Sequence, residues 1–471
     1  MRIGGGICMI QIEKTSVHDQ LNQATAYITN RKQIEVSLVE PIEHISALQF
    51  FKKTKNLGDR MFWQNPTGDM KIAGVGAHKR LTPEKGEDRF QSIRKQWEAY
   101  LENCLLPEAG EAGTGPILFG GFSFMDHINQ TDDTWKAFAS GEMILAKWML
   151  TEQDGQTYLT HHTTIDATTN VNEIANRFTE MKKVLSKPSI EVTLPTVQSM
   201  HDQFTYEHWE NLLNEAIDAI REQALGKVVL ARKTDVLFDH EIPLAEVIER
   251  MIDKQTNSYV FVIEQEDDAF IGATPERLVQ VKGNELLSAC LAGTTARGKT
   301  EEDDEMLAWQ LLNDEKNREE HDYVVQMIKQ SVAPYVESFD IPDAPVIYPL
   351  KSLQHLFTPV TATLKNDATI LDLVKQLHPT PALGGEPRDK ALQFIDEKEP
   401  FDRGWYAGPI GWLDANFDGE FAVAIRSGLI TENQATLFAG CGVVKDSDPQ
   451  AEYEETRIKF TPMLDALGGT Q

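Results

Sequence analysis

The chain has 471 residues, 41% of them hydrophobic and 25% charged, with a formal net charge of -28. That length supports one large or two medium domains with an ample core. The charge argues against nucleic acid and anionic membrane surfaces, which would be repelled; a small anionic substrate would need a local cation cluster or a metal.

The opening MRIGGGICMIQIEK has one arginine and a short glycine-rich apolar run, too weak for a signal peptide. No run of about 18 apolar residues occurs, so no transmembrane span is expected. Cys8, Cys104, Cys290 and Cys441 lie far apart with no C-x-x-C pair, which suits a reducing cytoplasm and gives no zinc signature. GPILFGGFSFM (115–125) and EMILAKWML (142–150) read as strands, and the stretch near 171–185 as a helix. Gly120 and Gly121 lack a following G-K-[ST] or G-x-x-G and read as a tight strand bend. The His161-His162 pair reads as a surface feature. LSKPSIEVTLPTVQSMHDQ (185–203), with Pro188 and Pro195, reads as a linker or crossover between residues 1–200 and a second half at 205–467.

In the second half, YEHWENLLNEAIDAIREQAL sets Trp209, Leu212, Leu213, Ala216, Ile217 and Ile220 at helical spacing. Strand candidates follow: KVVLARKTDVLF, then SYVFVIEQ, AFIGATPERLVQV and ELLSACLAG as an antiparallel meander. A long helix is expected over roughly 303–331. A second meander runs through YAGPIGWLD, EFAVAIRSGLI and ATLFAGCGVV, and a last helix starts with Asp448 as N-cap and Pro449 at its first position. Strands grouped with strands predict an α+β fold rather than a doubly wound one.

GTTARGKT (293–300) fits the phosphate-loop pattern letter for letter. Such a loop lies between a parallel strand and a helix N-terminus. Here Glu301, Glu302, Asp303, Asp304 and Glu305 come next. They suit the positive end of a helix dipole but would repel a triphosphate, which disfavours nucleotide binding.

Several charges keep apolar company. At about 100° per residue, Glu320 falls in the arc of Tyr323, Val324, Met327 and Ile328. In the last helix Glu452, Glu455 and Lys459 share the face that becomes apolar at Met463 and Leu467. Glutamates on two helices fit either a hard divalent ion such as Mg²⁺ or a structural ion-pair network. Lys227 shares a strand face with Val229 and Ala231, as a base in apolar surroundings or as a strand-end lysine reaching water. Arg426 lies above Ala422, Ala424 and Gly428, placed for a bidentate grip on a carboxylate or for a cross-strand salt bridge. Glu276, after Pro275 at a strand bend, is either a positioned acid or a surface loop acid.

KVVLAR (227–232), GATPERL (272–278), the AGT of CLAGTTARG (290–298), EKNREEH (315–321), LQHLFTPV (353–360), LHPTPALGG (377–385), GWYAGPIGW (404–412), AIRSGLI (424–430), FAGCGVV (438–444) and EYEETRIK (452–459) occur in this order. With them the chain resembles the chorismate-utilising enzymes, and within these the isochorismate synthases of the menaquinone type. The resemblance spans residues 205–467 and extends more weakly through the first half. It implies a four-layer α/β/β/α core with two packed, mainly antiparallel sheets, and Mg²⁺ as cofactor. It implies water addition at C2 of chorismate with loss of the C4 hydroxyl. By position Lys227 resembles the base and Glu276 the acid. Glu320 and Glu455 resemble the metal ligands, with Glu452 acting through water. Arg426 and Tyr406, helped by backbone near Gly440, would grip the enolpyruvyl carboxylate. Lys459 and the backbone of Gly293 and Thr294 would hold the ring carboxylate. His355 would line the pocket; His378 would order its loop. Ammonia-using relatives usually carry Gln at the Lys227 position and Thr at the Ala382 position. The branch that makes aminodeoxychorismate often has Lys at Ala292. Water is therefore the expected nucleophile, and no glutaminase subunit is implied. Salicylate-forming relatives keep the lysine, so release of pyruvate is the alternative outcome. Cys441 departs from the alanine of many members and would be oxidisable if exposed.

Overall fold

A computed structural model describes residues 10–12, 16–28, 32–43, 45–107, 113–128, 133–189, 192–349 and 353–469. Cys8 and most of the opening stretch lie outside the described residues. The clearest sequence period gives the clearest element. The helix Tyr206–Arg221 starts at Thr205, whose side chain accepts from the His208 N–H, and buries Trp209, Leu212, Leu213, Ala216, Ile217 and Ile220. The last helix, Pro449–Leu467, starts as expected: the Asp448 carboxylate accepts from the Ala451 N–H, with Pro449 in the first turn.

The chain divides into two compact units. The larger holds the described residues up to Glu276, together with Pro379–Ala415 and those from Val423 onward. Most of its strands form one antiparallel succession. Val197–Asp202 pairs with Lys227–Phe238, which pairs with Gln434–Val443, then Ser427–Thr431, Asp268–Thr274 and Tyr259–Gln265. The succession continues through Arg60–Gln64, Met70–Leu81, Gly141–Gln153, Gln156–Asp166 and Gln33–Pro41. Strands from both sides of the 185–203 seam thus share a sheet, and Val197–Asp202 within the seam is itself a strand. Helices Ala47–Lys53, Val171–Ser186, Leu244–Lys254 and Pro449–Leu467 cover it. Phe50, Phe178, Met251 and Phe460 from these helices join Val36, Leu150, Val262 and Leu437 in one core. Each such side chain, fully buried, contributes roughly 1.5–3 kcal/mol.

The smaller unit holds Arg277–His378 and Asn416–Ala422. In it Arg277–Lys282 pairs with Glu285–Ala296, which pairs with Leu353–Leu364. The helix Glu315–Val332 packs on the last two strands. Both units are helices laid on mainly antiparallel sheet, the α+β arrangement expected.

Five expectations need correction. AFIGATPERLVQV is two strands, Asp268–Thr274 and Arg277–Lys282, because Pro275 lacks the N–H a ladder needs. EFAVAIRSGLI also breaks, at Arg426, whose φ of 51° turns a corner before Ser427–Thr431. The long helix is two, Glu301–Asn313 and Glu315–Val332, because the Asp314 carboxylate caps the second by accepting from the Asn317 N–H at 2.7 Å. Gly120 and Gly121 sit inside the strand Ile117–Phe122 rather than at a bend. A Cβ at Gly120 would lie 1.9 Å from the Glu142 carbonyl oxygen, and one at Gly121 2.7 Å from that of Pro409, so these glycines permit close backbone approach. His161 and His162 are buried, not superficial. His161 stacks on Trp148 at 4.0 Å, and His162 Nδ1 lies 2.6 Å from the Ala146 carbonyl. Burial pushes the two imidazoles down to about 3 and about 4.

Candidate active site

In the larger unit the site is built on the paired strands Lys227–Phe238 and Gln434–Val443. Val229 faces Gly442 and Ala231 faces Gly440 in register. Lys227 therefore lies on the face where the nearby positions of the partner strand, Gly440 and Gly442, have no side chains. A Cβ at Gly442 would sit 2.9 Å from Lys227 Cε and 3.6 Å from its Nζ, so the missing side chain is the space through which the lysine passes. Gly442 was not singled out from the sequence; its signal is the glycine spacing of two in FAGCGVV.

Glu276 ends the segment after Asp268–Thr274. Its carbonyl accepts from the Val423 N–H at 3.0 Å and its N–H donates to Thr274 Oγ1 at 3.3 Å, which fixes its backbone. Burial pushes its carboxyl up to about 7, while the ammonium groups of Lys459 and Lys227 pull it back down. Both lysines are thus in electrostatic reach of a carboxyl poised near neutrality.

The remaining residues of this unit are linked in series. Lys459 Nζ donates to the Gly440 carbonyl at 2.8 Å and pairs with Glu455 at 2.6 Å. The buried Tyr406 ring stacks on Phe438 at 5.3 Å, and its hydroxyl lies 3.2 Å from the Cβ position of Gly440. Burial pushes that phenol up and the Arg426 guanidinium down, and Tyr406 and Glu455 hold Arg426 toward its charged form. Glu452 accepts from Ser447 Oγ at 2.9 Å. Cys441 is buried, and burial pushes its thiol up, so it is not the exposed oxidisable thiol considered above. Ala382 is exposed on the loop after His378, and the same loop's Gly384 carbonyl accepts from the Val229 N–H of the lysine strand at 3.0 Å.

The smaller unit places the others. Gly293 has a φ of 79° at a register shift between Ala292 and Thr294, a bulge that takes one residue out of the ladder. Thr294 Oγ1 and His355 Nδ1 are 2.9 Å apart, and burial lowers the imidazole's pKa. Glu320 is exposed and lies off the buried stripe of its helix, which is His321, Val325, Ile328 and Val332; of the expected arc only Ile328 belongs to it. His321 occupies the core slot because both ring nitrogens find partners, Nδ1 at the Ala292 carbonyl (3.0 Å) and Nε2 at Thr358 Oγ1 (2.8 Å). It anchors the helix beside the Gly293 bulge. The sequence reading had not assigned it a role, although it closes the motif EKNREEH.

The GTTARGKT stretch is no phosphate loop. Its strand pairs antiparallel, and the Gly298 N–H already donates to the Asp304 carboxylate at 2.6 Å, where Arg297 also pairs at 2.7 Å. Thr300 caps Glu301–Asn313, the helix before the one that carries Glu320.

Glu320, Glu452 and Glu455 are all hard oxygen donors, the chemistry Mg²⁺ takes. Among the described residues no three His, Cys, Asp or Glu side chains converge as a ready-made metal set. That is compatible with an ion held by one or two carboxylates, water and substrate. Among the described residues no helix is long and apolar enough to cross a membrane.

A family model described as "Chorismate binding enzyme" matches residues 19–468. The chain belongs to the chorismate-binding enzymes. Among these enzymes it is 41% identical over 441 residues to the isochorismate synthase MenF of Bacillus subtilis, covering 92% of this chain and 93% of that one. It is 36% identical over 410 residues to the salicylate biosynthesis isochorismate synthase of Pseudomonas aeruginosa, covering 86% and 84%. The solved structure of MenF, the menaquinone-specific isochorismate synthase of Escherichia coli, superimposes with a TM-score of 0.77 at 26% identity, over 95% of this chain and 98% of that one. The α+β fold of the chorismate-utilising enzymes is therefore the fold of this chain.

Proposed function

We propose that this chain is an isochorismate synthase in which Lys227 activates water and Glu276 protonates the leaving hydroxyl. The overall reaction rests on the near full-length similarity to isochorismate synthases. The roles rest on the Glu276 carboxyl, held at about 7 within reach of Lys227.

A base must offer a lone pair, so Lys227 acts as the neutral amine. It takes one proton from a water whose oxygen bonds to C2 of chorismate. The ring double bonds shift, the C4–O bond breaks, and Glu276 delivers its proton to the departing oxygen, which leaves as water. Lys227 then holds a proton and Glu276 lacks one; exchange with solvent restores both. A carboxyl near 7 keeps a large protonated fraction at neutral pH, which an ordinary glutamate does not. Arg426 and Tyr406 grip the enolpyruvyl carboxylate. In the larger unit Lys459 holds the ring carboxylate; in the smaller unit the Gly293–Thr294 backbone offers N–H groups to a carboxylate. We assign Glu455 and Glu452 of the last helix, and Glu320 in its own unit, as Mg²⁺ ligands; the ion would supply positive charge to the ring carboxylate. These local cations account for an anionic substrate on a chain of net charge -28. Supply to menaquinone synthesis, in the cytoplasm and without a glutaminase subunit, completes the proposal.

The test is purified protein with chorismate and Mg²⁺, products resolved by chromatography. Isochorismate alone is expected. Salicylate with pyruvate would make the chain a salicylate synthase, and absence of any product would refute both.

A further inference from the structure

One edge of the lysine strand is partly completed by side chains. Along one side Lys227–Phe238 pairs with Gln434–Val443. Along the other, Gly385–Glu386 covers Lys227 and Val228, and Val197–Asp202 covers residues from Thr234 onward. Between them the backbone meets Glu399 and Arg403. The Ala231 N–H donates to Glu399 Oε1 at 2.8 Å, and the Val229 carbonyl accepts from Arg403 Nη2 at 2.6 Å. Arg403 Nε donates to Glu399 Oε2 at 2.7 Å, and its Nη1 donates to the Leu383 carbonyl at 3.1 Å. The two side chains are 2% and 1% exposed, and the guanidinium lies over the Phe124 ring at 4.3 Å.

We propose that Glu399 and Arg403 form one positioning unit: they take the place of a strand beside Val229–Ala231 and fix the loop of residues 379–385, with Ala382 on it, against the strand that carries Lys227. Neither touches the reacting atoms. A buried ion pair is a poor device for stability alone, since apolar residues of like volume do as well or better. What it adds here is direction, because the planar fork and the carboxylate satisfy both a donor and an acceptor of the strand edge and a carbonyl of the loop. The loop is fitted to that edge elsewhere too. Gly385 has a φ of 124°, and a Cβ there would lie 2.3 Å from the Lys227 carbonyl oxygen. The inference rests on Lys227 being the base.

Removing one partner would leave a lone buried charge, so the test removes both. In Glu399→Leu/Arg403→Met the Ala231 N–H and the Val229 and Leu383 carbonyls lose these partners, so the melting temperature should fall modestly, with folding still cooperative, and the chorismate KM should change by no more than about threefold. kcat should fall roughly 30-fold or more, since small displacements of a reacting group cost up to about 10²-fold. Amide exchange should quicken at residues 226–232 and 379–386 and stay unchanged elsewhere. A kcat within about threefold of wild type, or exchange quickened throughout the chain, would overturn the proposal. Lys227→Ala run in parallel separates the two levels. If that variant turns over normally, the reading of Lys227 as base fails. If it is dead while the double variant keeps its kcat, only the positioning role fails.

Discussion

Glu276→Gln keeps the side chain's shape and removes its proton, and its two consequences have opposite signs. Burial moves the Glu276 carboxyl from an ordinary 4.5 to about 7. The difference, 7 − 4.5, is about 2.5 units, or roughly 3 kcal/mol at 1.36 kcal/mol per unit. The folded value is the raised one, so between 4.5 and 7 the folded chain keeps a proton that the unfolded chain releases. The stability linked to this proton is fully present below about 4.5 and is lost as pH rises through about 7. At pH 8 the ionised carboxylate therefore costs the fold roughly 3 kcal/mol, a cost glutamine does not carry. Metal-free Glu276→Gln should be more stable than wild type at pH 8 by up to that amount, with the gap closing toward pH 4.5, measured by denaturant titration at both ends. Its turnover should fall roughly 10²–10⁴-fold, the usual worth of a general acid. Wild-type kcat/KM should decline as pH rises above about 7. Turnover close to wild type, or equal stabilities at pH 8, would refute the assignment.

Lys227→Ala should abolish turnover while chorismate still binds, as read by calorimetry; comparable turnover would remove Lys227 as the base. Gly442→Ala places a methyl 2.9 Å from Lys227 Cε, so kcat should fall with the melting point little changed, because the colliding atom is the flexible end of a lysine. Arg426→Ala should raise the chorismate KM roughly 10–100-fold, the worth of a charged hydrogen bond, and an unchanged KM would free Arg426 of substrate contact. Treatment with a chelator should stop product formation and added Mg²⁺ should restore it, with Glu455→Gln needing more Mg²⁺ for half-maximal rate.

Local patterns were readable where one rule acts alone. The helix Tyr206–Arg221 and the Asp448 cap needed only periodicity and a capping side chain. The bend at Pro275 was legible from the proline itself, whereas the strand break at Arg426 was hidden because hydrophobic alternation continues through that corner. The division at Asp314 was hidden because a polar residue in a helical pattern does not announce that its carboxylate will cap. The Glu320 arc was misjudged because His321 counts as polar in any periodicity, yet a carbonyl and a hydroxyl satisfy its ring in the core. Likewise His161 and His162 are polar letters in buried positions. The candidates in the larger unit were named by residue type, but the glycine path for Lys227 and the Glu399–Arg403 pair depend on which backbones adjoin, which no local pattern records.

The strand Arg60–Gln64 lies between Met70–Leu81 and Tyr259–Gln265 in the sheet. During synthesis it is made about 200 residues before its second neighbour, a delay of roughly 10–40 s at ribosomal speed. For that interval its edge has no native partner, and all five of its residues are buried in the finished fold. The first half is thus an unfinished template awaiting the strand that follows the lysine. Residues 205–467 made alone would carry the complementary defect: Tyr259–Gln265, apolar in its first five residues, would present an open edge ready to pair with another copy.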